Sequence, residues 1–117
     1  MRYVDGFVLP VPKKNLQAYR RISQKAGKVW REHGALEYVE AAGDDMKVKW
    51  ATLFPKMAKA KAGETVVFSY IVYKSRKHRD AVMKKVMSDK RFTTMDPKDM
   101  PFDGKRMIYG GFKVMVS

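Results

Sequence analysis

Asp5, Arg106 and Tyr109 are the side chains of this chain best suited to acid–base or ion-pair chemistry. Asp5 interrupts Tyr3-Val-Asp-Gly-Phe-Val-Leu9, a run otherwise apolar on both of its alternating faces. A carboxylate in such surroundings needs a hydrogen-bond partner or a shifted pKa. A structural bond to Tyr109 or Arg106 is the plain reading, and a general base in a pocket is the sharper one. Asp103-Gly-Lys-Arg106 brings an acid, two bases and a permissive glycine to the mouth of the last apolar run. It reads first as a tight turn in which Asp103 accepts backbone N–H bonds. The alternative is a ligand-binding or dimer-rim site of Asp103, Lys105 and Arg106, with Arg106 forking onto a carboxylate, a ligand's or that of Asp5. Gly110 and Gly111 sit in mid-strand, where glycine packs nothing. Such a pair marks a bulge, an interface, or a floor beneath a flat ligand.

Other chemistries find little support. The two histidines and scattered acids show no metal-ligand spacing, and there is no cysteine for a disulfide, a thiol nucleophile or a thiolate site. His33 closes a helix whose C-terminal dipole suits a cation. No metal or bound redox cofactor is expected.

The formal net charge is +13 at pH 7, which favours anionic partners through sequence-independent attraction. Residues 13–31 carry seven basic groups and no acid, residues 46–63 carry five lysines and no acid, and residues 74–91 carry eight basic groups against Asp80 and Asp89. The charge therefore sits on predicted helices, where Arg20, Arg21, Lys28, Lys84 and Lys85 are candidates for non-specific phosphate contacts with nucleic acid. A solvated basic surface without a dedicated partner is the competing reading.

The elements that position these groups can be read from periodicity. Residues 2–11 form a strand closed by Pro10 and Pro12. Leu16, Tyr19, Ile22, Ala26, Val29, Trp30 and His33 recur at helical spacing, giving an amphipathic helix over 13–33 that Gly34 stops. Residues 35–42 and 65–73 are strands, Ser75 caps a helix running to about 88, and residues 106–116 form the last strand. Residues 46–63 are ambiguous: Trp50, Leu53, Phe54, Met57 and Ala58 fit a short helix that Pro55 interrupts. No apolar run approaches the roughly 20 residues that span a bilayer. Met1-Arg-Tyr-Val-Asp5 leads directly into a strand without the apolar core of a secretory signal, so a cytoplasmic protein is expected.

The order strand, helix, strand, strand, helix, strand over residues 1–117 predicts a single α+β domain of ferredoxin-like βαββαβ type, its four-stranded antiparallel sheet covered on one face by two helices. The strands are apolar on both faces. Val66, Phe68, Tyr70 and Val72 oppose Val67, Ser69, Ile71 and Tyr73, and Ile108, Phe112 and Val114 oppose Met107, Tyr109 and Met115. Two helices cover one face only, so the other predicts a sheet-to-sheet homodimer. RNA-recognition motifs share this topology, but Tyr109-Gly-Gly-Phe112 lacks their basic-Gly start and falls on the last strand.

Tyr3-Val-Asp-Gly-Phe7, Gly34-Ala-Leu36, Glu64-Thr-Val-Val-Phe-Ser69, Arg79-Asp80, Met87-Ser-Asp89 and above all Met100–Phe112 together resemble the YbaA-like family of the dimeric α/β-barrel superfamily. The resemblance spans nearly the whole chain and implies the barrel-type dimer. The family has no established biochemical role. Its second strand ends Glu-Cys-Trp where this chain has Glu40-Ala41-Ala42, which removes any thiol role here. Cofactor-free monooxygenases of the superfamily oxidise aromatic substrates between helices and sheet. The resemblance therefore implies a cavity for a small apolar or aromatic molecule, with Asp5, Arg106 and Tyr109 near its rim. Tyr19, Trp30, Trp50, Phe54, Phe68 and Tyr70 are candidate lining residues, although aromatics at such periods are ordinarily core. Some haem-binding relatives use a helix histidine, but the bases flanking His78 argue for solvent exposure. Nucleic-acid binding through the basic helices and a monooxygenase-like reaction stand as alternatives.

Overall fold

A computed structural model describes all residues, Met1–Ser117. Four strands, β1 (Tyr3–Pro12), β2 (Glu37–Ala42), β3 (Glu64–Tyr73) and β4 (Ile108–Lys113), form one antiparallel sheet in the order β2-β3-β1-β4. Helix α1 (Leu16–Glu32) links β1 to β2, and α3 (Arg76–Met87) follows β3. Two four-residue helices, α2 (Phe54–Met57) before β3 and α4 (Lys90–Thr93) after α3, and three 3-10 turns interrupt the simple alternation.

Local chemistry explains the boundaries. The Ser75 hydroxyl accepts from the His78 N–H at 3.1 Å and opens α3. Gly34, at φ +117°, ends α1 in a conformation that other residues resist. Pro55 stands in the first turn of α2, where its missing N–H is unneeded. The ambiguous 46–63 segment is therefore helical only over Phe54–Met57. Its Phe54 packs edge-on against Phe68 at 6.2 Å.

The helix-facing side of the sheet carries the core. Tyr3, Ile71 and Tyr73 pack with Ala26, Val29 and Trp30 of α1 and Val82 and Val86 of α3. Leu9, Val11 and Val67 pack with Tyr19 nearer the start of α1. Ala81 and Met87 of α3 are exposed. The other side of the sheet is also apolar, and α2 shields only part of it. Phe68 is 45% exposed, Ile108 46% and Phe112 61%.

The glycine pair in β4 is not a bulge. Pairing with β1 runs unbroken from Tyr3↔Lys113 to Val8↔Ile108, through Asp5↔Gly111 and Gly6↔Gly110. Gly111 is required because the Tyr3 ring lies across it. A Cβ there would come within 2.9 Å of a Tyr3 ring carbon and closer still to its hydroxyl. Tyr3 has little freedom to yield, since it is buried and the Arg79 guanidinium lies over its ring at 4.9 Å from the centroid. Gly111→Ala should destabilise the fold by about 1–3 kcal/mol through overpacking. Gly110→Ala, whose Cβ would meet Phe112 at an ordinary 3.4 Å, should change stability by less than about 0.5 kcal/mol. Urea midpoints of the two variants check the contrast.

Candidate functional site

Two carboxylates on the helix-facing side of the sheet are each gripped by a pair of tyrosines. The first is Asp5, completely buried in β1. Its Oδ2 accepts from the Tyr73 hydroxyl at 2.9 Å. Its Oδ1 accepts from the Tyr109 hydroxyl at 2.9 Å and from Arg79 Nη1 at 2.7 Å. The same Nη1 donates to the Tyr109 oxygen at 2.7 Å, and Arg79 Nε reaches Asp80 at 2.7 Å. Burial, then the charge and hydrogen bond of Asp5, push the Tyr73 hydroxyl well above its ordinary range. Burial and the Asp5 hydrogen bond push Tyr109 up to about 12. No buried side-chain polar atom here lacks a partner, and the guanidinium contacts the carboxylate directly, which is the profile of a structural ion pair rather than of a free base.

Of the two partners expected for Asp5, either of which would serve, Tyr109 is the one present and Arg106 is not. Arg106 lies at the opposite end of the sheet and forks onto Glu64, Nη1 to Oε1 and Nη2 to Oε2, both at 2.7 Å. It also donates to the Lys59 carbonyl at 3.0 Å. Asp103 caps the turn, accepting from Lys105 N–H at 3.0 Å and from Arg106 Nε at 3.1 Å, as the tight-turn reading requires. Lys105 is exposed beside it. Asp103, Lys105 and Arg106 are thus separated from Asp5, and Gly110 and Gly111 lie on the Asp5 side. Arg79 was missed, yet Arg79, Val82 and Val86 share one helical face, and the two valines mark it as the inward one.

The second carboxylate is Glu40 of β2. Its Oε1 accepts from the Tyr19 hydroxyl at 2.6 Å and its Oε2 from the Tyr38 hydroxyl at 2.7 Å. Burial, followed by the charge and hydrogen bond of Glu40, raises both tyrosines far above the ordinary phenol range. No cationic side chain touches Glu40. It forms part of the wall of a cavity of about 370 Å³ between α1 and the β2–β3 edge, with Leu16, Val67 and Ala42 supplying apolar surface. Gly27 brings the helix close to this wall: a Cβ there would stand 2.7 Å from the Tyr38 ring. The alternation of Tyr38-Val-Glu40 puts Glu40 on the same face as Tyr38, but only the placement of α1 shows that this face is the covered one.

Of the aromatic candidates only Tyr19 lines this cavity. Trp30 is core, Trp50 is 87% exposed, and Phe54, Phe68 and Tyr70 cluster together away from it. Neither Asp5, Arg106 nor Tyr109 forms its rim. His78 is half-buried rather than solvent-exposed, with Nδ1 accepting from the Lys74 N–H at 2.9 Å. His33 caps α1 and bonds Asp89 at 2.8 Å through Nε2. No group of three or more His, Cys, Asp or Glu residues is placed to hold a metal ion, and no helix is long and apolar enough to cross a membrane.

Arg20, Arg21, Lys28, Lys84 and Lys85 are all exposed. Arg20 lines the Glu40 cavity, whereas Lys28 lines a separate groove of about 630 Å³ between α1 and residues 91–100. The basic groups of α1 thus divide between its two flanks.

The Glu64–Arg106 fork yields a pH test. The Arg106 hydrogen bonds, then the Lys61 N–H, hold the Glu64 carboxyl down at about 2, against an ordinary 4.5. Between those values the unfolded chain binds the proton that the folded chain refuses, so stability falls as pH drops through the interval. The contribution, on the order of 1 kcal/mol after solvent screening, should be complete above about pH 5 and gone near pH 2. Glu64→Gln should lack this part of the acid sensitivity in urea midpoints measured across that range.

Comparison with known proteins places this architecture. A family model described as "Protein of unknown function (DUF1428)" matches residues 2–104. The chain is 47% identical over 116 residues to "Uncharacterized protein YbaA" of Escherichia coli (strain K12), covering 99% of this chain and 98% of that protein. The protein of the same description from Shigella flexneri matches equally. Among solved structures, an uncharacterized NIPSNAP domain protein from Burkholderia xenovorans superposes with a TM-score of 0.57 at 12% identity, over 96% of this chain and 93% of that one. The de novo designed protein Foldit4 follows at 0.51 and 9% identity, over 97% and 99% of the two chains. At these identities the structural likeness speaks for the fold alone. The sequence matches go further: the chain belongs to the DUF1428 family of proteins of unknown function.

Proposed function

We propose that this protein binds a small, largely aromatic molecule in the cavity between α1 and the β2–β3 edge. The observation that carries the reading is the Tyr19–Glu40–Tyr38 cluster facing a cavity of about 370 Å³. Ligand sites combine a largely apolar concavity of this scale with a few fixed polar groups, and this is such a combination. Leu16, Val67 and Ala42 offer apolar contact, and the tyrosine rings offer faces for stacking. A panel of small aromatic compounds, screened by thermal shift at about 300 mM salt to suppress surface electrostatics, tests it. At 100-fold excess over Kd, a binder should add about 2.7 kcal/mol of stability. Ala42→Trp, which fills the cavity from an exposed lining position, should abolish the shift. A panel that shifts neither protein, or both alike, sinks the reading.

The same proposal includes a homodimer formed through the open face of the sheet. Val8, Phe68, Tyr70, Ile108 and Phe112 project from that face, and several are about half exposed. A second copy packed sheet to sheet would bury them and leave the Glu40 cavity, on the helix side, accessible. Sedimentation velocity at micromolar concentration should give twice the chain mass. Phe112→Glu should return it to a single chain, because a charge would be forced into an apolar interface. A wild-type monomer would overturn the dimer.

A further inference from the structure

The charge layout of the cavity specifies more than an aromatic occupant. Both tyrosine hydrogens are spent on Glu40, so the hydroxyls of Tyr19 and Tyr38 can offer a guest only their oxygens. Glu40 retains unused lone pairs of its own. This part of the wall is therefore acceptor-only, and it will hold a guest that brings hydrogen-bond donors. The helix side of the same cavity carries the opposite character. Arg20 and Arg31 both line it, and neither pairs with any carboxylate of the chain. Two unpaired guanidiniums against one carboxylate leave the cavity net positive. Arg79, Arg91 and Arg106, by contrast, each contact two carboxylates, whereas Arg2, Arg21 and Arg76, which line no part of this cavity, contact none.

Resting on the reading of the cavity as a ligand site, we infer that its ligand is a small aromatic acid bearing a hydroxyl or amine at its far end. The donor meets Glu40, and the anionic group meets the guanidinium of Arg20 or Arg31. A neutral aromatic leaves the cations unpaired, and an acid without a donor leaves the Glu40 wall unused. Selection arises because each missing group forgoes a charge-assisted hydrogen bond.

Three probes separate these terms: para-hydroxyphenylacetate, which has both groups; phenylacetate, which lacks the donor; and tyrosol, which lacks the acid. Titration calorimetry should show the first binding about tenfold or more tighter than either other. The double variant Arg20→Gln/Arg31→Gln, altered only at exposed positions, should weaken para-hydroxyphenylacetate about tenfold more than it weakens tyrosol, removing most of the preference between them. Glu40→Gln, checked for native circular dichroism, should narrow the preference over phenylacetate. Tyrosol binding as tightly as the acid, or a preference that survives in the double variant, overturns the inference and leaves the cavity reading standing. The inference also falls if none of the three probes binds while other aromatic compounds still give shifts that Ala42→Trp abolishes. Absence of all three probes and of every panel shift overturns both.

Discussion

Removing an ionised carboxylate from water costs several kcal/mol unless the protein rebuilds its hydration with donors and a counterion. Asp5 is wholly buried, and the donors that replace its water come from three other elements. Tyr73 belongs to β3, Arg79 to α3 and Tyr109 to β4. One side chain of the central β1 thereby fixes both flanking strands and the helix above them. A buried pair of this kind is not a large source of net stability, but it is a strong source of uniqueness here. A one-residue slip of β1 against β3 or β4 would turn Asp5 to the open face and strand the Arg79 guanidinium, whose side chain is only 12% exposed. The apolar residues flanking Asp5 would tolerate that slip, since both faces of β1 are apolar. The carboxylate does not.

The same two-faced pattern explains why the register needs a polar anchor at all. In a sheet with one solvated face, alternation of apolar and polar residues sets the register unaided. Here Val66, Phe68, Tyr70 and Val72 on one side of β3 are as apolar as Val67, Ile71 and Tyr73 on the other. Hydrophobic burial alone therefore distinguishes the two registers poorly. The ion pair at one end of the sheet and the Glu64–Arg106 fork at the other supply the missing specification. They lie near opposite ends of β3, so the strand is pinned at both.

Much of this was legible in the sequence. Periodicity located both long helices and all four strands to within a few residues, because amphipathic α1 and the β-branched strands have strong, local signals. The last strand proved shorter than expected, Ile108–Lys113, since edge pairing with β1 ends where β1 itself begins. The buried role of Asp5 followed from its apolar neighbours, and the Asp103 turn from its residue types. Partner identity was not legible. Whether Arg79 or Arg106 meets Asp5 depends on where α3 crosses the sheet, a tertiary fact that no local pattern records. Glu40 escaped for a related reason: an acid on a short strand reads as solvent-facing until a helix is known to lie over it. Of the roles open to Gly110-Gly111, the bulge is absent, because a ring from the neighbouring strand, not a kink in its own, requires Gly111.

Asp5 and Glu40 form a natural comparison within one molecule. Each lies on the helix side of the sheet, and each accepts hydrogen bonds from two tyrosines. Asp5 has a guanidinium in contact and Glu40 has none, and Glu40 borders the cavity described above, which Asp5 does not line. The difference follows from position in the sheet. β1 is central, roofed by α3, and any space there is filled by Tyr3 and the Arg79 side chain. β2 is an edge strand paired with β3 alone, and the cavity opens between it and α1, beside Gly27 and Ser23. A central carboxylate must be neutralised by the fold for the fold to exist. An edge carboxylate is only half-buried, and it leaves its spare lone pairs and the nearby cations without partners in the chain. The fold's own electrostatics thus separate a carboxylate that holds the sheet together from one that remains free to meet a guest.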